Sequence, residues 1–334
     1  MIKTMSQRFS QHFMAFMAKL TSKYSIYLIL IAMLVICSIL SPAFFSAKNL
    51  SNISRQISIT TIISFGMTML IISGMIDLAA GSVMALAGIL AVACYKATGS
   101  LLISMLAGIV IGIACNIVSG FIVTRFKTPP FIATLATMTI FRGLALVVTD
   151  GRPVTGLHSD FFSMLGGGYV ASLVPVPVIW MLVAFAVLWF VLRKTTFGRH
   201  VYAIGGNEEA SLISGVRVSQ IKPAVYALSG ALSAMAGVIL TSRLNSAQPN
   251  AGSGYELDAI AAVVLGGTSL AGGRGRIVGT LIGSIILGVL STGLILMNVP
   301  FFTQLLIKGV VIILAVAIDS LKQRQFMLAH LFKR

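Results

Sequence analysis

The chain is a succession of continuous apolar segments, each close to the length that crosses a bilayer, joined by short polar segments. A transmembrane helix needs about 20 mainly apolar residues. Because the runs are continuous and do not alternate, a closed β-barrel is excluded. We therefore predict an all-α integral membrane protein with ten spans. In chain order they are Ser25–Phe45, Ile57–Ile76, Leu78–Tyr95, Leu101–Thr124, Phe131–Val148, Val170–Leu192, Pro223–Thr241, Leu257–Leu270, Ile277–Met297 and Phe301–Ile318.

The composition excludes other classes of protein. Apolar residues make up 57% of the chain and charged residues only 10%, and the mean hydropathy is +1.00. Soluble globular proteins carry about 25% charged residues, so these values exclude a compact soluble enzyme. They also exclude a disordered chain, which would be poor in apolar residues. The eighth predicted span is short and rich in Gly and Ala, so it is either re-entrant or broken.

Basic residues predict how the chain lies in the membrane. The net charge is +16, and most Lys and Arg lie in the two termini and in the loops after the fourth, sixth and eighth spans. Such loops are cytoplasmic as a rule, so we predict that both termini are cytoplasmic and expect no nucleic-acid partner. The resulting organisation is a basic segment 1–24, a transmembrane domain 25–320 with a cytoplasmic loop 193–222, and a cytoplasmic tail 321–334. Segment 1–24 is either an amphipathic helix on the membrane surface or a frayed polar tail.

The cytoplasmic loop contains the signature of a short capped helix. The Asn207 side chain suits an N-cap, and Glu208–Glu209 would then lie in the first turn, where the helix dipole favours negative charge. Gly215 suits the left-handed position that follows a helix. These residues predict a helix of about two turns with Leu212–Ile213 as an apolar tip. The segment is either a solvated connector or an element that inserts into a groove of a partner.

Several motifs that carry chemistry are absent from the sequence. It has no G-x-x-x-x-G-K-[S/T] phosphate loop and no H-E-x-x-H motif, and the glycine cluster Gly272–Arg276 lacks the spacing of a dinucleotide site. We therefore expect no cofactor, no metal and no catalytic residue. Acidic residues avoid the centres of the spans, which disfavours an ion-coupled carrier without excluding it. Uphill transport would then need an ion gradient or a second, energy-supplying subunit.

The stretch Gly198–Glu208 resembles the coupling loop of permease subunits in bacterial sugar importers of the ATP-binding-cassette type. The resemblance covers roughly residues 40–320. Further matching stretches are Ser73–Leu78, Pro130–Leu135, Arg142–Gly143, Leu244–Pro249, Gly254–Ala261 and Gly266–Gly273. The last three are similar to ribose-importing members, so the resemblance implies ribose as the transported monosaccharide. Members that import galactose, arabinose, xylose or the autoinducer-2 sugar share most of these motifs and are alternatives.

The resemblance also implies partners and a location. It implies a cytosolic ATP-binding-cassette ATPase, an extracytoplasmic sugar-binding protein that delivers the sugar, and a second permease copy in a homodimer. The chain would be a multi-pass protein of the bacterial inner membrane and a transport subunit without enzymatic activity of its own. An ion-coupled carrier and a polytopic enzyme acting on lipid are the rival classes. The residues implied in coupling to the ATPase are Gly205, Gly206, Asn207, Glu208, Glu209, Ala210, Leu212 and Gly215.

A weak internal repeat predicts two halves of five helices each. Asp77 is followed after eleven residues by Gly88, and Glu256 after eleven residues by Gly267. In the predicted orientation the two copies face opposite sides, as in inverted repeats with a pathway at their interface. Further pairs are Pro130–Ile132 with Pro300–Phe302 and Arg142–Gly143 with Lys308–Gly309, while a rival alignment pairs Asp77–Ala79 with Ser269–Ala271.

Five charged residues in or near the spans are candidates for the pathway or for buried polar contacts. They are Asp77, Arg142, Glu256, Asp258 and Lys308. Arg142 and Lys308 lie roughly 10–17 Å from their span ends at the rise of an α-helix. A charge at that depth is costly and should face protein or water. Each is therefore either paired with a carboxylate or a helix C-terminus, or in contact with the sugar path.

Overall fold

The computed structural model describes residues 26–155, 160–171 and 173–331, with the side chains of 160–161 and 318–331 outside the description. The predicted segment 1–24 lies outside the described residues. Within them the chain forms a hairpin of β1 (Tyr169–Val170) and β2 (Val174–Pro175) and thirteen helices. The helices are α1 (Ile26–Leu40), α2 (Ala47–Ile72), α3 (Ala80–Thr98), α4 (Leu101–Arg125), α5 (Pro130–Thr149), α6 (Asp160–Gly167), α7 (Val176–Lys194), α8 (Thr196–Gly206), α9 (Glu208–Ile213), α10 (Val218–Leu244), α11 (Tyr255–Leu265), α12 (Ile277–Leu296) and α13 (Phe301–Leu331).

The structure confirms an all-α membrane protein. In the described part of the chain, seven helices are long and apolar enough to span a membrane, namely α2, α3, α4, α5, α7, α10 and α12. The apolar helices α1 and the Phe301–Ala317 part of α13 are shorter. Helix α11 has only 11 residues, so the eighth predicted span contains a short helix.

Prolines and glycines account for the differences from the predicted boundaries. The sixth span was predicted to begin at Val170, but that residue lies in the β-hairpin and α7 begins at Val176. Pro175 and Pro177 suit a helix start, because the N–H groups of a first turn have no partner in the helix. The first span was predicted to reach Phe45, but α1 ends at Leu40, two residues before Pro42.

Helices α2 and α10 form the centre of the molecule and are largely buried. They pack against each other, and each also packs against helices from the other half of the sequence. Helix α2 contacts α11 and α12, while α10 contacts α3 and α4. Helix α2 of the first half is thus surrounded mainly by helices of the second half, and α10 of the second half packs mainly on helices of the first.

Glycines permit close contact between these helices. The spacing of Gly108 and Gly112 on α4 favours close approach of two helix backbones. In the structure, a Cβ added at Gly112 would collide with the Gly230 carbonyl of α10, and one at Gly108 would touch the Val238 side chain. On α12, a Cβ at Gly283 would collide with the Ala262 carbonyl of α11.

Two non-helical segments interrupt the helical arrangement, and they come together at the beginning of α3. Residues 73–79 join α2 to α3, and residues 245–254 join α10 to α11. Gly252 packs against Gly81 and against the Met84 sulfur, and Met84 in turn packs against Gly237 of α10. Segment 245–254 thus packs on the beginning of α3, which in turn packs on α10.

Candidate functional site

The six-residue helix α9 is capped at both ends, as the sequence predicted. The Asn207 Oδ1 atom accepts a hydrogen bond from the Ala210 N–H at 2.9 Å. Glu208 and Glu209 occupy the first turn, and Gly215 has a φ of +83°. Local side-chain chemistry therefore sets both ends of this short helix.

An ion pair holds α9 against the beginning of α10. The Lys222 ammonium lies 2.7 Å from both carboxylate oxygens of Glu208. The Lys222 side chain is 14% exposed and the Glu208 side chain is 47% exposed. The first turn of α9 is thus tied to one of the two central helices.

The tip of α9 is apolar and projects from the molecule. Ile213 is 87% exposed and Leu212 is 54% exposed. Ala210 is also exposed, while Ser211 is buried and its hydroxyl donates to the Asn207 carbonyl. A short rigid helix with an exposed apolar tip is suited to insertion into a groove of another protein.

Helix α8 connects α9 to α2, the other central helix. The sequence did not predict this connection. Gly205 packs directly on the Ile72 carbonyl at the end of α2, and the Gly273 N–H donates to the same carbonyl at 2.7 Å. The Tyr202 hydroxyl donates to the Gly275 carbonyl at 2.9 Å, and burial raises the pKa of Tyr202. Of the two predicted glycines, Gly205 is therefore a packing residue, and Gly206 is exposed.

The second group of candidate residues surrounds the start of α3. Asp77 is fully buried and accepts hydrogen bonds from the Ala79 N–H and from the Asn116 Nδ2 atom, both at 2.8 Å. The Tyr226 hydroxyl of α10 donates to the Ile76 carbonyl at 2.9 Å. Segment 73–79 is thus fastened to α4 and α10, and both partners lie too far along the chain for local patterns to reveal them.

Glu256, in the first turn of α11, packs against Gly81 at the beginning of α3. Its Oε1 atom accepts from the Gly254 N–H at 3.1 Å. Its Oε2 atom is buried, would collide with a Cβ at Gly81, and has no hydrogen-bond partner among the described residues. Asp77 and Glu256 thus lie near the beginnings of α3 and α11, and these two helices contact each other.

Arg142 lies in a protein-lined environment, as predicted. Its Nη1 atom donates to the Pro249 carbonyl at 2.5 Å and to the Ala251 carbonyl at 2.9 Å. The cation on α5 therefore holds segment 245–254 in its inward position. The partners are loop carbonyls, whereas the sequence suggested a carboxylate or a helix C-terminus.

Lys308 forms a separate pair with a carboxylate, which was one of the two predicted environments. Its ammonium lies 2.9 Å from the Asp258 Oδ2 atom, and both side chains are 23% exposed. This pair joins α13 to α11. The structure thus places Asp77, Glu256 and Arg142 around segment 245–254 and the beginning of α3, and Asp258 of the second pair lies in the same first turn of α11 as Glu256. Among the described residues, no group of three or more His, Cys, Asp or Glu side chains is arranged to hold a metal.

The comparison with known families decides the class of protein. Residues 49–316 match the family described as "Branched-chain amino acid transport system / permease component". The chain belongs to this permease family. The matched region contains α8, α9 and all five charged candidates, so both groups of residues lie within the part shared with the family.

Individual relatives match this permease over most of its length. The ribose import permease protein of Bacillus subtilis (strain 168) is 52% identical over 294 residues, which cover 88% of this chain and 91% of the relative. The ribose import permease protein of Escherichia coli (strain K12) is 48% identical, over 88% of this chain and 92% of the relative. The L-arabinose transport system permease protein of the same organism is 39% identical over 92% of this chain and 93% of its own. No solved structure matches.

Proposed function

We propose that this permease is the membrane-spanning subunit of an ATP-binding-cassette importer and that it translocates ribose. The observation that carries the proposal is the identity of about one half with ribose import permeases over almost the whole chain. The lower identity with the arabinose permease favours ribose among sugars. The family description names branched-chain amino acids, but the more similar relatives carry sugar names, so sugar is the better assignment.

The proposed arrangement has ten spans in two five-helix halves of inverted topology, with both termini in the cytoplasm of a bacterial inner membrane. The exchange of central helices supports it, because α2 packs in the second half and α10 packs in the first. Acidic residues near the starts of α3 and α11 support the repeat that pairs Asp77 with Glu256. The positions of the basic loops support the orientation.

In the proposed mechanism, α9 is the element through which ATP hydrolysis moves the permease. Its apolar tip docks on a cytosolic ATPase. A separate ATPase is needed because this chain has no phosphate-loop motif of its own. A displacement of α9 reaches α10 through the Glu208–Lys222 ion pair and reaches α2 through the packing of Gly205 on Ile72. Since α2 and α10 are the two central helices, these contacts would transmit the movement to the core.

The proposed sugar path runs near the junction of segments 73–79 and 245–254. Asp77, Glu256 and Arg142 supply polar groups there, and the Asp258–Lys308 pair lies beside it. Inverted-repeat transporters place their sites at such junctions, where discontinuous helices begin. A sugar-binding protein would deliver ribose at outer loops that include residues 149–168, and two permease copies would alternate access together.

Other assignments predict different behaviour. A permease for galactose, arabinose, xylose or the autoinducer-2 sugar would prefer that sugar in competition. An ion-coupled carrier would transport without ATP, and a membrane enzyme acting on lipid would give no uptake under any condition. A stand-alone carrier would also bind sugar with micromolar or tighter affinity, whereas a permease fed by a binding protein needs only a weak, transient site.

The sugar is tested by uptake of labelled ribose into proteoliposomes that contain the permease, its ATPase and its binding protein. Unlabelled ribose should abolish the signal, while equal concentrations of arabinose, allose, galactose or xylose should leave most of it. If one of these sugars competed more strongly than unlabelled ribose, that sugar would be the substrate, and the importer mechanism would be unaffected.

A further inference from the structure

A cavity of about 930 Å³ opens at the end of the molecule where α7 ends and α12 begins. It lies between α1, α7, α8, α12 and the loop that joins α11 to α12. This is the cytoplasmic side in the proposed orientation. The cavity is separate from the junction around Arg142 and from the apolar tip of α9, so neither proposed site accounts for it.

The polar side of this cavity carries three arginines. Arg193 lies in the last turn of α7, and Arg274 and Arg276 lie in the loop immediately before α12. The Arg193 guanidinium is 5.5 Å from the centroid of the Trp189 ring, which also lines the cavity. Among the described residues that line it, none is acidic. Three cations on one rim of a cavity favour an anionic ligand.

The backbone adds to the positive potential. The first residues of the 20-residue helix α12, Ile277 to Gly279, line the same cavity. The N–H groups of a first helical turn have no acceptor within the helix. Because the helix dipole also makes this end positive, such a terminus stabilises a phosphate or another anion. Arginine guanidinium groups match phosphate oxygens with paired hydrogen bonds.

Part of the cavity lining, here called the apolar wall, consists of apolar side chains. It contains the Ile26 side chain from α1, Leu192 from α7 and Ile282 from α12. A free inorganic phosphate would gain nothing from such a wall, whereas an acyl chain would bury apolar surface there. Basic pockets between transmembrane helices on the cytoplasmic side bind anionic lipid head groups.

We propose that this cavity binds the phosphate group of an anionic phospholipid, with the arginines and the start of α12 on the phosphate and the apolar wall on an acyl chain. Two ligands could supply the bound phosphate group, namely a lipid head group and free inorganic phosphate. The apolar wall assigns it to the lipid. This proposal rests on the proposed function in one respect, which is the orientation that places the cavity on the cytoplasmic side.

The segment that precedes Ile26 is a poor competitor for the same cavity. Residues 1–25 contain Lys3, Arg8, Lys19 and Lys23 and no acidic residue. A basic segment would add positive charge to a rim that already carries three arginines. The lining arginines attract an anionic lipid, and so its charge complements the cavity where the segment's charge does not.

The test compares lipid binding by the full-length parent and by Arg193→Gln/Arg274→Gln/Arg276→Gln. Each protein is placed in nanodiscs with mixed phosphatidylglycerol and phosphatidylcholine, and bound lipid is counted by native mass spectrometry after gentle extraction. The matched control is Lys194→Gln/Arg199→Gln/Arg217→Gln, which removes the same charge from exposed residues outside the cavity lining. The single variant Arg276→Gln serves if the triple variant does not fold.

Retention of phosphatidylglycerol by the parent and by the control is the expected result. Each arginine removed should weaken that binding about fivefold, and the triple variant should weaken it about 100-fold. Equal retention by the triple variant, or an equal loss in the control, overturns the site.

A parallel experiment measures thermal unfolding in phosphatidylcholine alone while inorganic phosphate is titrated in. Arginine-dependent stabilisation there, without preference for phosphatidylglycerol, overturns the lipid as the source. The lipid count does not depend on transport activity. A negative lipid result therefore does not contradict the importer proposal, and a failure of sugar uptake does not contradict lipid binding.

Discussion

The Glu208 carboxylate accepts from the Lys222 ammonium through both oxygens at 2.7 Å, and this ion pair joins the first residue of α9 to the beginning of α10. Because α10 is one of the two central helices, the pair connects an exposed apolar tip to the core. The second connection, through Gly205 on the Ile72 carbonyl, leads to α2.

Replacing Glu208 by arginine should reduce sugar uptake while leaving the fold intact. The variant places a cation beside Lys222 and opposes the dipole of α9. Because the pair is partly exposed, its contribution to the free energy of unfolding is at most about 1 kcal/mol. Uptake in proteoliposomes and thermal unfolding in detergent measure the two effects. The double variant Glu208→Lys/Lys222→Glu restores the pair and should recover part of the uptake. Normal uptake and normal ATPase association in Glu208→Arg would contradict the coupling role.

Gly215→Val should uncouple the permease by distorting the end of α9. The φ of +83° at this position costs an ordinary side chain about 1–2 kcal/mol and a β-branched one more. Membrane insertion should persist, while uptake and co-purification with the ATPase should fall. Gly215→Asn is the matched control, because asparagine tolerates a left-handed backbone. Equal behaviour of the valine and asparagine variants would show that the backbone conformation here has no part in coupling.

Arg142→Leu should insert at least as well as the parent and yet lose uptake. Arginine in a transmembrane segment costs roughly 2.5 kcal/mol or more on insertion scales, so its removal does not impair insertion. The loss leaves the Pro249 and Ala251 carbonyls without their charged donor, which should destabilise the fold by about 1.5–3 kcal/mol. Thermal unfolding and uptake are the measurements, with Arg152→Leu as the exposed control.

The environment of Arg142 can be probed independently of activity. In Arg142→Cys with the three native cysteines replaced, a water-soluble thiol reagent and a lipid-borne quencher report on the same position. Protection from lipid is expected, since the residue contacts segment 245–254. Protection from the reagent together with quenching from the lipid would contradict the placement.

Local chemistry explains why some of this structure could be predicted and some could not. Asn207 and Gly215 act within their own turn of the chain, so the caps of α9 were evident from the sequence. The cost of a buried cation likewise required that Arg142 be shielded. Its partners, Pro249 and Ala251, lie more than a hundred residues away, and only tertiary packing brings them together. The hairpin before α7 was missed because Val170 continues an apolar run and only Pro175 marks the break.

The packing of α4 on α10 should be sensitive to one added side chain. A Cβ at Gly112 would collide with the Gly230 carbonyl, whereas a Cβ at Gly309 on α13 meets nothing within 4 Å. Gly112→Val should therefore destabilise the protein by about 1–3 kcal/mol, the usual cost of overpacking, and Gly309→Val should not. Thermal unfolding of both variants in the same detergent compares them. A lower melting temperature for Gly309→Val than for Gly112→Val would contradict this packing.

The most direct measurement is uptake of labelled ribose into proteoliposomes, with ATP, the ATPase and the binding protein each left out in turn. We expect accumulation only when all three are present with the permease, because this chain has no phosphate loop and, in the proposed mechanism, a binding protein delivers its sugar. Leu212→Ser/Ile213→Ser, which removes the apolar tip of α9, should then lose accumulation without losing insertion. Ribose accumulation by the permease alone, or without ATP, would contradict the account and make the protein a stand-alone carrier.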